Sequence, residues 1–260
     1  MTKWNDCEKL AVVTGSAGIG LGVAQRLLSD GFGVILCGND PSDNAKAGRE
    51  TEGHPIRIDE LDVSNEGAVR DLAKGLTISV GGLDALVNCA GIQPYGTIET
   101  TEPEDWRRVL DVNLTGYFHM AHFLYPLLKA RPTASIVNVA SVQGHLNQNN
   151  VLAYATSKGA IRAMTRAMAV DCAKDGVRVN SISPGSIRTP LLEFAAQELT
   201  PTGGDPEETL KGFGASHAVG RVGTVAEIGA LVSYLVGPES AFCIGGDFPI
   251  DGGLRAKLGV

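Results

Sequence analysis

Tyr154 and Lys158 are the residues of this sequence whose types and spacing are best suited to moving a proton. They lie four positions apart, as Tyr-x-x-x-Lys, near the start of a helix that we predict over residues 153–175. This separation places both side chains on one helical face, one turn apart. An unperturbed phenol titrates near pH ~10, and a neighbouring ammonium favours the phenolate. The pair is therefore a candidate acid–base group, although a surface Tyr lying over a Lys stem has the same pattern.

A glycine-rich turn is the second feature with chemical meaning. Gly15, Gly18 and Gly20 follow a strand predicted over residues 9–14 and open a helix predicted over residues 17–30. Glycine permits a sharp turn and lets the backbone approach a pyrophosphate seated at the helix N-terminus. The turn therefore predicts a dinucleotide site, with a merely tight strand–helix connection as the alternative.

The elements that must position these residues alternate between short runs rich in Val and Ile and longer segments of helical period. This alternation is typical of βαβ units in a parallel sheet buried on both faces. We expect an α/β fold, a single doubly wound Rossmann-type domain over residues 1–260 with helices on both faces of the parallel sheet. The predicted strands cover residues 9–14, 33–37, 55–60, 83–88, 134–140, 177–182 and 248–250. The predicted helices cover residues 17–30, 65–76, 102–129 with a break near Asn113, 153–175 and 225–235.

Residues 190–219 interrupt this rhythm, with a cluster of Pro and Gly at residues 201–206. Long insertions late in an α/β fold are more often functional than structural. We predict a substrate lid over residues 190–219, with a plain surface loop as the alternative.

Composition argues against several classes of partner. The 260 residues carry a net charge of -7 without a run of Lys or Arg, so neither nucleic acid nor an anionic membrane is an expected partner. Residues 1–9 are polar and charged, and no apolar run approaches ~20 residues, which predicts a cytoplasmic location. The five cysteines are scattered singly, so we interpret them as packing residues and expect no metal site.

These motifs together resemble the short-chain dehydrogenase/reductase family. The turn at residues 14–20 is similar to the family's Thr-Gly-x-x-x-Gly-x-Gly signature, but two residues rather than three separate its first two glycines. Asn-Cys-Ala-Gly at residues 88–91 resembles the family's Asn-Asn-Ala-Gly. Ser141 ends a predicted strand thirteen residues before Tyr154, as the family's catalytic serine does, and Asn113 resembles the fourth member of the catalytic tetrad. The resemblance covers nearly the whole chain.

The resemblance implies an NAD(P)-dependent oxidoreductase that transfers a hydride between nicotinamide and a secondary alcohol or carbonyl. Tyr154 would then exchange the hydroxyl proton, Ser141 would hydrogen-bond the substrate oxygen, and Asn113 would interrupt its helix and position a water. Lys158 would lower the pKa of Tyr154 and hold the nicotinamide ribose. The implied cofactor contacts are Gly15, Ser16, Gly18, Ile19, Gly20, Asn39, Asp62, Val63, Asn88, Ala90, Gly91, Tyr154, Lys158, Pro184, Gly185, Ile187 and Thr189. The family also implies a homo-oligomer, a dimer or tetramer built through the helices over residues 113–129 and 153–175.

The choice between NAD and NADP depends on the end of the second predicted strand. A carboxylate there would bind the ribose hydroxyls, and an Arg would meet a 2′-phosphate. Here Gly38 stands at the position of the NAD-selective Asp, and Asn39 stands at that of the NADP-selective Arg. Because Asp40 follows and no basic residue lies in the glycine turn, the sequence leans slightly to NAD.

The substrate is a small molecule, and the polar residues around the tetrad favour a sugar or polyol. Buried donors and acceptors usually match hydroxyls on a ligand. We expect Gln93 and Gln143 to bind substrate together with Ser141 and Tyr154. Further polar candidates in the same surroundings are His145, Asn147, Gln148, Asn149, Glu193 and Gln197, with a solvated loop as the alternative for residues 147–150. Residues 141–154 and 188–192 also resemble the corresponding stretches of family members that oxidise aldoses.

Other functions on the same fold stay open from the sequence. A 3-oxoacyl or other ketone reductase, a steroid-like ketone as substrate, an epimerase or a dehydratase would use the same elements. Enoyl reductases of related fold generally space their Tyr and Lys more widely than Tyr154 and Lys158. A non-catalytic nucleotide-binding scaffold is the alternative outside enzymes, and only the shortened glycine turn favours it.

Overall fold

A seven-stranded parallel sheet forms the centre of the described part of the chain, residues 3–258 of a computed structural model. Residues 1–2 and 259–260 of the predicted 1–260 domain lie outside the described residues. The strands are β1 Lys9–Thr14, β2 Phe32–Gly38, β3 Ile56–Glu60, β4 Ala85–Asn88, β5 Ala134–Val139, β6 Val177–Pro184 and β7 Asp247–Ile250. Their order is β3-β2-β1-β4-β5-β6-β7, which reverses direction between β1 and β4. Open α/β sheets bind ligands at such a reversal, outside the carboxyl ends of the strands.

Helices cover both faces of the sheet because alternate strand residues point to opposite sides. Val12 of β1 packs in the core shared with the helices Glu66–Ser79, Gly116–Leu128 and Leu152–Cys172, whereas Val13 packs in the core shared with Gly18–Ser29 and Val225–Val236. Both valines are fully buried. The helices are α1 Gly18–Ser29, α2 Pro41–Glu50, α3 Glu66–Ser79, α4 Pro103–Leu110, α5 Gly116–Leu128, α6 Leu152–Cys172, α7 Pro190–Leu199, α8 Pro206–Ser216 and α9 Val225–Val236. The predicted doubly wound α/β fold is confirmed. Within residues 3–258, no helix has both the length and the apolar character that crossing a bilayer requires.

The helix predicted over residues 102–129 is divided into three pieces. A π-helical turn over Asp111–Thr115 separates α4 from α5, and it contains Asn113. The break predicted near Asn113 is thus present in the structure.

Three helices were not predicted from the sequence. The residues of α2 are mostly polar and lack an apolar period. Helices α7 and α8 lie in the segment predicted as a lid, and each begins with a capping residue followed by Pro at its first position. Thr189 caps α7 and Asp205 caps α8, so the Thr-Pro and Asp-Pro pairs were the missed start signals.

Asp247, at the start of β7, accepts hydrogen bonds from several elements around the turn that follows β5. Its carboxylate accepts hydrogen bonds from Ser181 Oγ at 2.7 Å, Arg162 Nε at 3.1 Å and His145 Nε2 at 2.6 Å. Arg162 also donates from Nη1 to the carbonyl oxygen of Gly144 at 2.7 Å. Burial alone would raise the pKa of Asp247, but the hydrogen bonds that it accepts lower it below its ordinary value. The carboxylate therefore fixes α6, β6 and the turn after β5 relative to one another.

We expect Asp247→Asn to lower the free energy of unfolding by about 1–3 kcal/mol, because a buried network of donors loses its charged acceptor. Urea unfolding at neutral pH measures the change. Since the folded pKa of Asp247 is lowered, the difference from wild type should persist down to about pH 4 and shrink below it. Asp71→Asn, which removes an exposed ion pair with Lys74, is the matched control and should change the stability by less than about 0.5 kcal/mol. Equal effects of the two substitutions would contradict this account.

Candidate active site

The glycine-rich turn between β1 and α1 has the geometry of a cradle for a phosphate group. Gly15 and Gly18 have φ angles of +89° and +52°, which L side chains rarely adopt. A Cβ at Gly20 would lie 1.9 Å from the carbonyl oxygen of Gly15, so the turn closes only with glycine there. Ala17 precedes α1 and offers no side-chain cap. The first N–H groups of the helix are therefore left to a ligand or to water.

A cavity of about 240 Å³ lies beside this turn and contains most of the predicted cofactor contacts. A second cavity, of about 390 Å³, adjoins it, since Ile19, Cys89, Gly91, Thr189 and Leu191 line both. The predicted contacts in the first cavity are Gly15, Ser16, Gly18, Ile19, Gly20, Asn39, Asp62, Val63, Ala90, Gly91 and Thr189. Those in the second include Tyr154, Lys158, Pro184, Gly185 and Ile187.

Asn88 is the predicted cofactor contact that lines neither cavity. Its side chain is fully buried, and its amide donates to Asn138 Oδ1 on the neighbouring strand at 2.9 Å. In this structure Asn88 joins β4 to β5 within the sheet.

Three members of the predicted tetrad meet at the second cavity. Tyr154 and Lys158 lie one turn apart on α6, and Ser141 follows the end of β5. All three line the cavity, and all three are buried, with at most 8% of each residue exposed. The Lys158 ammonium lies 5.4 Å from the centre of the Tyr154 ring and donates to the carbonyl oxygen of Val139 at 2.7 Å. A phenol, a hydroxyl and an ammonium thus converge where a reacting carbon would sit.

Burial sets the proton affinities of this group. It raises the pKa of Tyr154 to about 12, and the hydrogen bond with Ser141 offsets only part of this rise. Burial also lowers the pKa of Lys158 to about 8, since the ammonium loses its hydration. At neutral pH this raised pKa keeps Tyr154 in its neutral, proton-donating form. One donor of the Lys158 ammonium is engaged by Val139, and the lowering of the Tyr154 pKa by Lys158 stays a prediction.

Asn113 lies behind this group and is fully buried. Its amide exchanges two hydrogen bonds with the backbone of Ile92, at 2.9 and 3.0 Å. The same amide donates to Ser157 Oγ at 3.1 Å, and Ser157 donates to the carbonyl oxygen of Tyr154. Asn113 thus connects the chain after β4 to the first turns of α6.

The end of β2 shows why neither expected determinant of cofactor choice is present. A Cβ at Gly38 would lie 2.0 Å from Ser16 Oγ and 2.5 Å from Asn44 Oδ1, so a side chain there requires Ser16 and Asn44 to shift. Asp40 accepts hydrogen bonds from two backbone N–H groups in the first turn of α2, at 2.7 and 3.1 Å. Its carboxylate is therefore engaged as a helix cap, while Asn39 is exposed at the cavity.

Several of the polar residues expected around the substrate do line the second cavity. Gln93 and Gln143 are both there. Gln143 Oε1 is buried without a hydrogen-bond partner among residues 3–258. Asn147 and Gln148 line it too, whereas His145, Asn149, Glu193 and Gln197 do not. His145 is instead bound to Asp247, and Glu193 pairs with Arg188 at 3.4 Å.

Among the residues of this cavity that sequence reasoning missed are Tyr95, Phe213 and Arg255. Tyr95 and Arg255 follow the carboxyl ends of β4 and β7. That position is where open α/β sheets place their ligand contacts, so it was the available signal. Phe213 lies on α8, within the segment predicted as a lid.

We expect Gly20→Ala to weaken dinucleotide binding at least about tenfold, because the new methyl group collides with the Gly15 carbonyl and opens the turn. Fluorescence titration with NADH measures the affinity. Gly75→Ala is the matched control, since no atom lies within 4 Å of a Cβ built at that helical position. The control should keep the wild-type affinity and unfold at an equal or higher urea concentration. Wild-type affinity in Gly20→Ala would show that the turn does not hold the dinucleotide.

Comparison with known proteins agrees with the geometry. A family model described as enoyl-(acyl carrier protein) reductase matches residues 13–255. The L-fucose dehydrogenase of Oryctolagus cuniculus is 36% identical over 254 residues, which cover 96% of this chain and 86% of that protein. The ligand-free aldohexose dehydrogenase of Thermoplasma acidophilum superposes with a TM-score of 0.89 at 32% identity, covering 99% of this chain and 98% of that one. A variant of the actinorhodin polyketide ketoreductase solved with NADPH has a TM-score of 0.89 at 29% identity, covering 96% of this chain and 98% of that one.

These relatives match almost the full length of the chain and are named for oxidising or reducing a hydroxyl or carbonyl carbon. The ketoreductase holds NADPH, whose nicotinamide carries a hydride. The chain belongs to the short-chain dehydrogenase/reductase family and is an NAD(P)-dependent oxidoreductase of secondary alcohols and carbonyl compounds.

Proposed function

We propose that the protein interconverts a sugar or polyol and its carbonyl form, with Tyr154 as the proton-transfer group. The supporting observation is that Tyr154, Ser141 and Lys158 line one cavity that adjoins the cavity around the glycine-rich turn. A dinucleotide whose pyrophosphate sits at that turn is able to extend its nicotinamide toward Tyr154. The nicotinamide supplies or accepts the hydride when bound.

The proton moves at the Tyr154 hydroxyl. In the reducing direction the neutral phenol donates its proton to the carbonyl oxygen, while the Ser141 hydroxyl donates a hydrogen bond to the same oxygen. In the oxidising direction the phenolate form of Tyr154 accepts the proton of the carbinol. The Lys158 ammonium stabilises negative charge on the phenolate and holds the nicotinamide ribose. Asn113 acts by positioning, because its amide holds the first turns of α6 against the chain after β4, and the water predicted beside it stays a prediction.

Unpaired polar atoms at the cavity support a hydroxyl-bearing substrate. Gln143 Oε1 is buried without a partner, and the Tyr95 hydroxyl approaches Gln148 without a hydrogen bond of normal geometry. A buried polar atom without a partner costs free energy. A small rotation of either side chain would let a substrate hydroxyl satisfy it. The names of the rabbit and Thermoplasma relatives point to the same substrate class.

Other reactions on this fold are less well supported. The family model is described as an enoyl reductase, but the four-residue spacing of Tyr154 and Lys158 argues against that reaction. A 3-oxoacyl or other ketone substrate without hydroxyl groups would offer no donor to Gln143 Oε1. A non-catalytic scaffold would not need three buried reactive groups at one cavity.

We also propose that the protein forms a homo-oligomer and is located in the cytoplasm. Phe118 on α5 and Val170 on α6 are 51% and 79% exposed. Exposed apolar side chains on these two helices support a dimer or tetramer built through them, which light scattering would measure. A single domain with a lid at residues 190–219, and a cytoplasmic location, rest on the sequence patterns alone.

We expect Tyr154→Phe to reduce kcat by about 10²- to 10⁴-fold, because it removes the proton donor and keeps the ring. NADH absorbance in steady-state assays measures the loss, and fluorescence titration should show unchanged dinucleotide affinity. Tyr234→Phe, at an exposed position on α9 far from the cavity, is the matched control and should keep full activity. Residual activity above one tenth of wild type would exclude Tyr154 as the proton donor. A wild-type protein that binds NADH but turns over no alcohol would favour the scaffold.

We expect NAD to be preferred over NADP by about tenfold or more in kcat/KM, a difference of about 1.4 kcal/mol. Among the described residues lining the first cavity, Asp40, Asp43 and Asp62 are acidic and none is Lys or Arg. A 2′-phosphate would meet like charge without a partner. Asp43→Asn should narrow the preference, whereas Asp71→Asn on the exposed face of α3 should leave it unchanged. A preference for NADP would contradict this proposal.

A further inference from the structure

The charged residues that line the second cavity are cationic. Lys158 and Arg255 are the charged members of its lining, and among the described residues there it contains no Asp or Glu. Lys158 belongs to the reacting end beside Tyr154. Arg255 comes from the chain after β7, and Phe213 and Ser216 of α8 also line the cavity. The cavity therefore carries a cation that the proposed proton transfer does not use.

Arg255 is held in place by Asp251. Its Nε donates to Asp251 Oδ2 at 3.3 Å, and its backbone N–H donates to the same carboxylate at 3.2 Å. Gly253 N–H donates to the other carboxylate oxygen at 3.0 Å. The Asp251 side chain is only 11% exposed. The guanidinium is thus oriented through its Nε edge.

The other edge of the guanidinium is free. Within residues 3–258 neither Nη atom of Arg255 has a hydrogen-bond partner, and its side chain is only 24% exposed. Two neighbouring N–H donors at a partly dehydrated cavity match the oxygens of a carboxylate or phosphate, which Arg binds in a bidentate manner. Arg255 therefore has the charge and the free donors of an anion-binding residue.

We propose that the substrate is an anionic sugar or polyol and that Arg255 binds its carboxylate or phosphate group. The inference rests on the proposed function and narrows its substrate class. The amides of Gln93 and Gln143 would pair with the hydroxyls, Tyr154 would exchange the proton of one carbinol, and Arg255 would bind the charged end. The redox change is that of the proposed reaction: the reacting carbon loses a hydride to the nicotinamide, its hydroxyl loses a proton to the phenolate form of Tyr154, and a ketone forms from a carbinol or a lactone from a cyclic aldose.

The test compares substrates that differ in one charged group. Wild-type protein is assayed by NADH absorbance with D-glucose and sorbitol as neutral probes, D-gluconate as the carboxylate, D-glucose 6-phosphate as the phosphate, and 2-octanol as the apolar alcohol. The same panel is run with Arg255→Gln, Arg255→Lys and Lys257→Gln. Lys257 is the matched control, since it carries the same charge in the same segment, donates to the carbonyl oxygen of Ala215 and does not line the cavity.

We expect one of the two anionic probes to exceed both neutral sugars in kcat/KM, and which one does so distinguishes carboxylate from phosphate. Arg255→Gln should lower kcat/KM for that anion about 100-fold, mainly through KM, and change the neutral sugars less than about threefold. Arg255→Lys should restore part of the loss, because it returns the charge without the bidentate geometry. Lys257→Gln should resemble wild type.

Different failures have different meanings. Neutral sugars as the best substrates, unaffected by Arg255→Gln, would overturn the anionic substrate and leave the sugar proposal standing. Turnover of 2-octanol in preference to every sugar would overturn the proposed function itself. An equal loss for all substrates in Arg255→Gln, with a lowered urea midpoint, would show that Arg255 only supports the fold and would overturn the proposal.

Discussion

The structure of the site depends on one buried contact, the hydrogen bond from the Lys158 ammonium to the carbonyl oxygen of Val139. A cation buried among apolar groups is costly unless its donors are satisfied. The lowered pKa of Lys158 expresses that cost. Because Val139 ends β5 and Ser141 follows two residues later, this contact fixes α6 against the strand end that presents the serine hydroxyl. The relative positions of ammonium, phenol and hydroxyl follow from it.

The elements around this contact are held by polar networks on both sides. On one side Asn113, in the π turn between α4 and α5, bonds to the chain after β4 and to Ser157 of α6. On the other side Asp247 joins α6 through Arg162, which also holds the turn after β5. Satisfied polar networks of this kind specify a unique arrangement more strictly than apolar packing does. The two networks thus support the site geometry that the contact between Lys158 and Val139 sets.

The sequence was sufficient for the fold, and most of the site residues that it predicts line the two cavities. Parallel strands buried on both faces are near-continuous Val and Ile runs, and α6 carries Tyr154 and Lys158 at a spacing that allows little choice of geometry. The helix α2 was missed because its residues are mostly polar, and its packing is set by the tertiary structure. The contact of His145 depends on Asp247, which lies far away in the chain. The role proposed for Arg255 depends on a cavity whose other walls come from distant segments. No local pattern contains that information.

The close packing of the Ser16 side chain against Gly38 constrains how this protein can acquire a different cofactor preference. A side chain at position 38 would occupy the space that Ser16 Oγ now fills. A carboxylate for the ribose hydroxyls can be introduced there only if Ser16 and Asn44 move, because side-chain atoms of both lie within 3 Å of a Cβ at position 38. The effect of a substitution at position 38 therefore depends on which side chains stand at positions 16 and 44. In a lineage with this pair, the order of mutations decides which cofactor preferences are accessible.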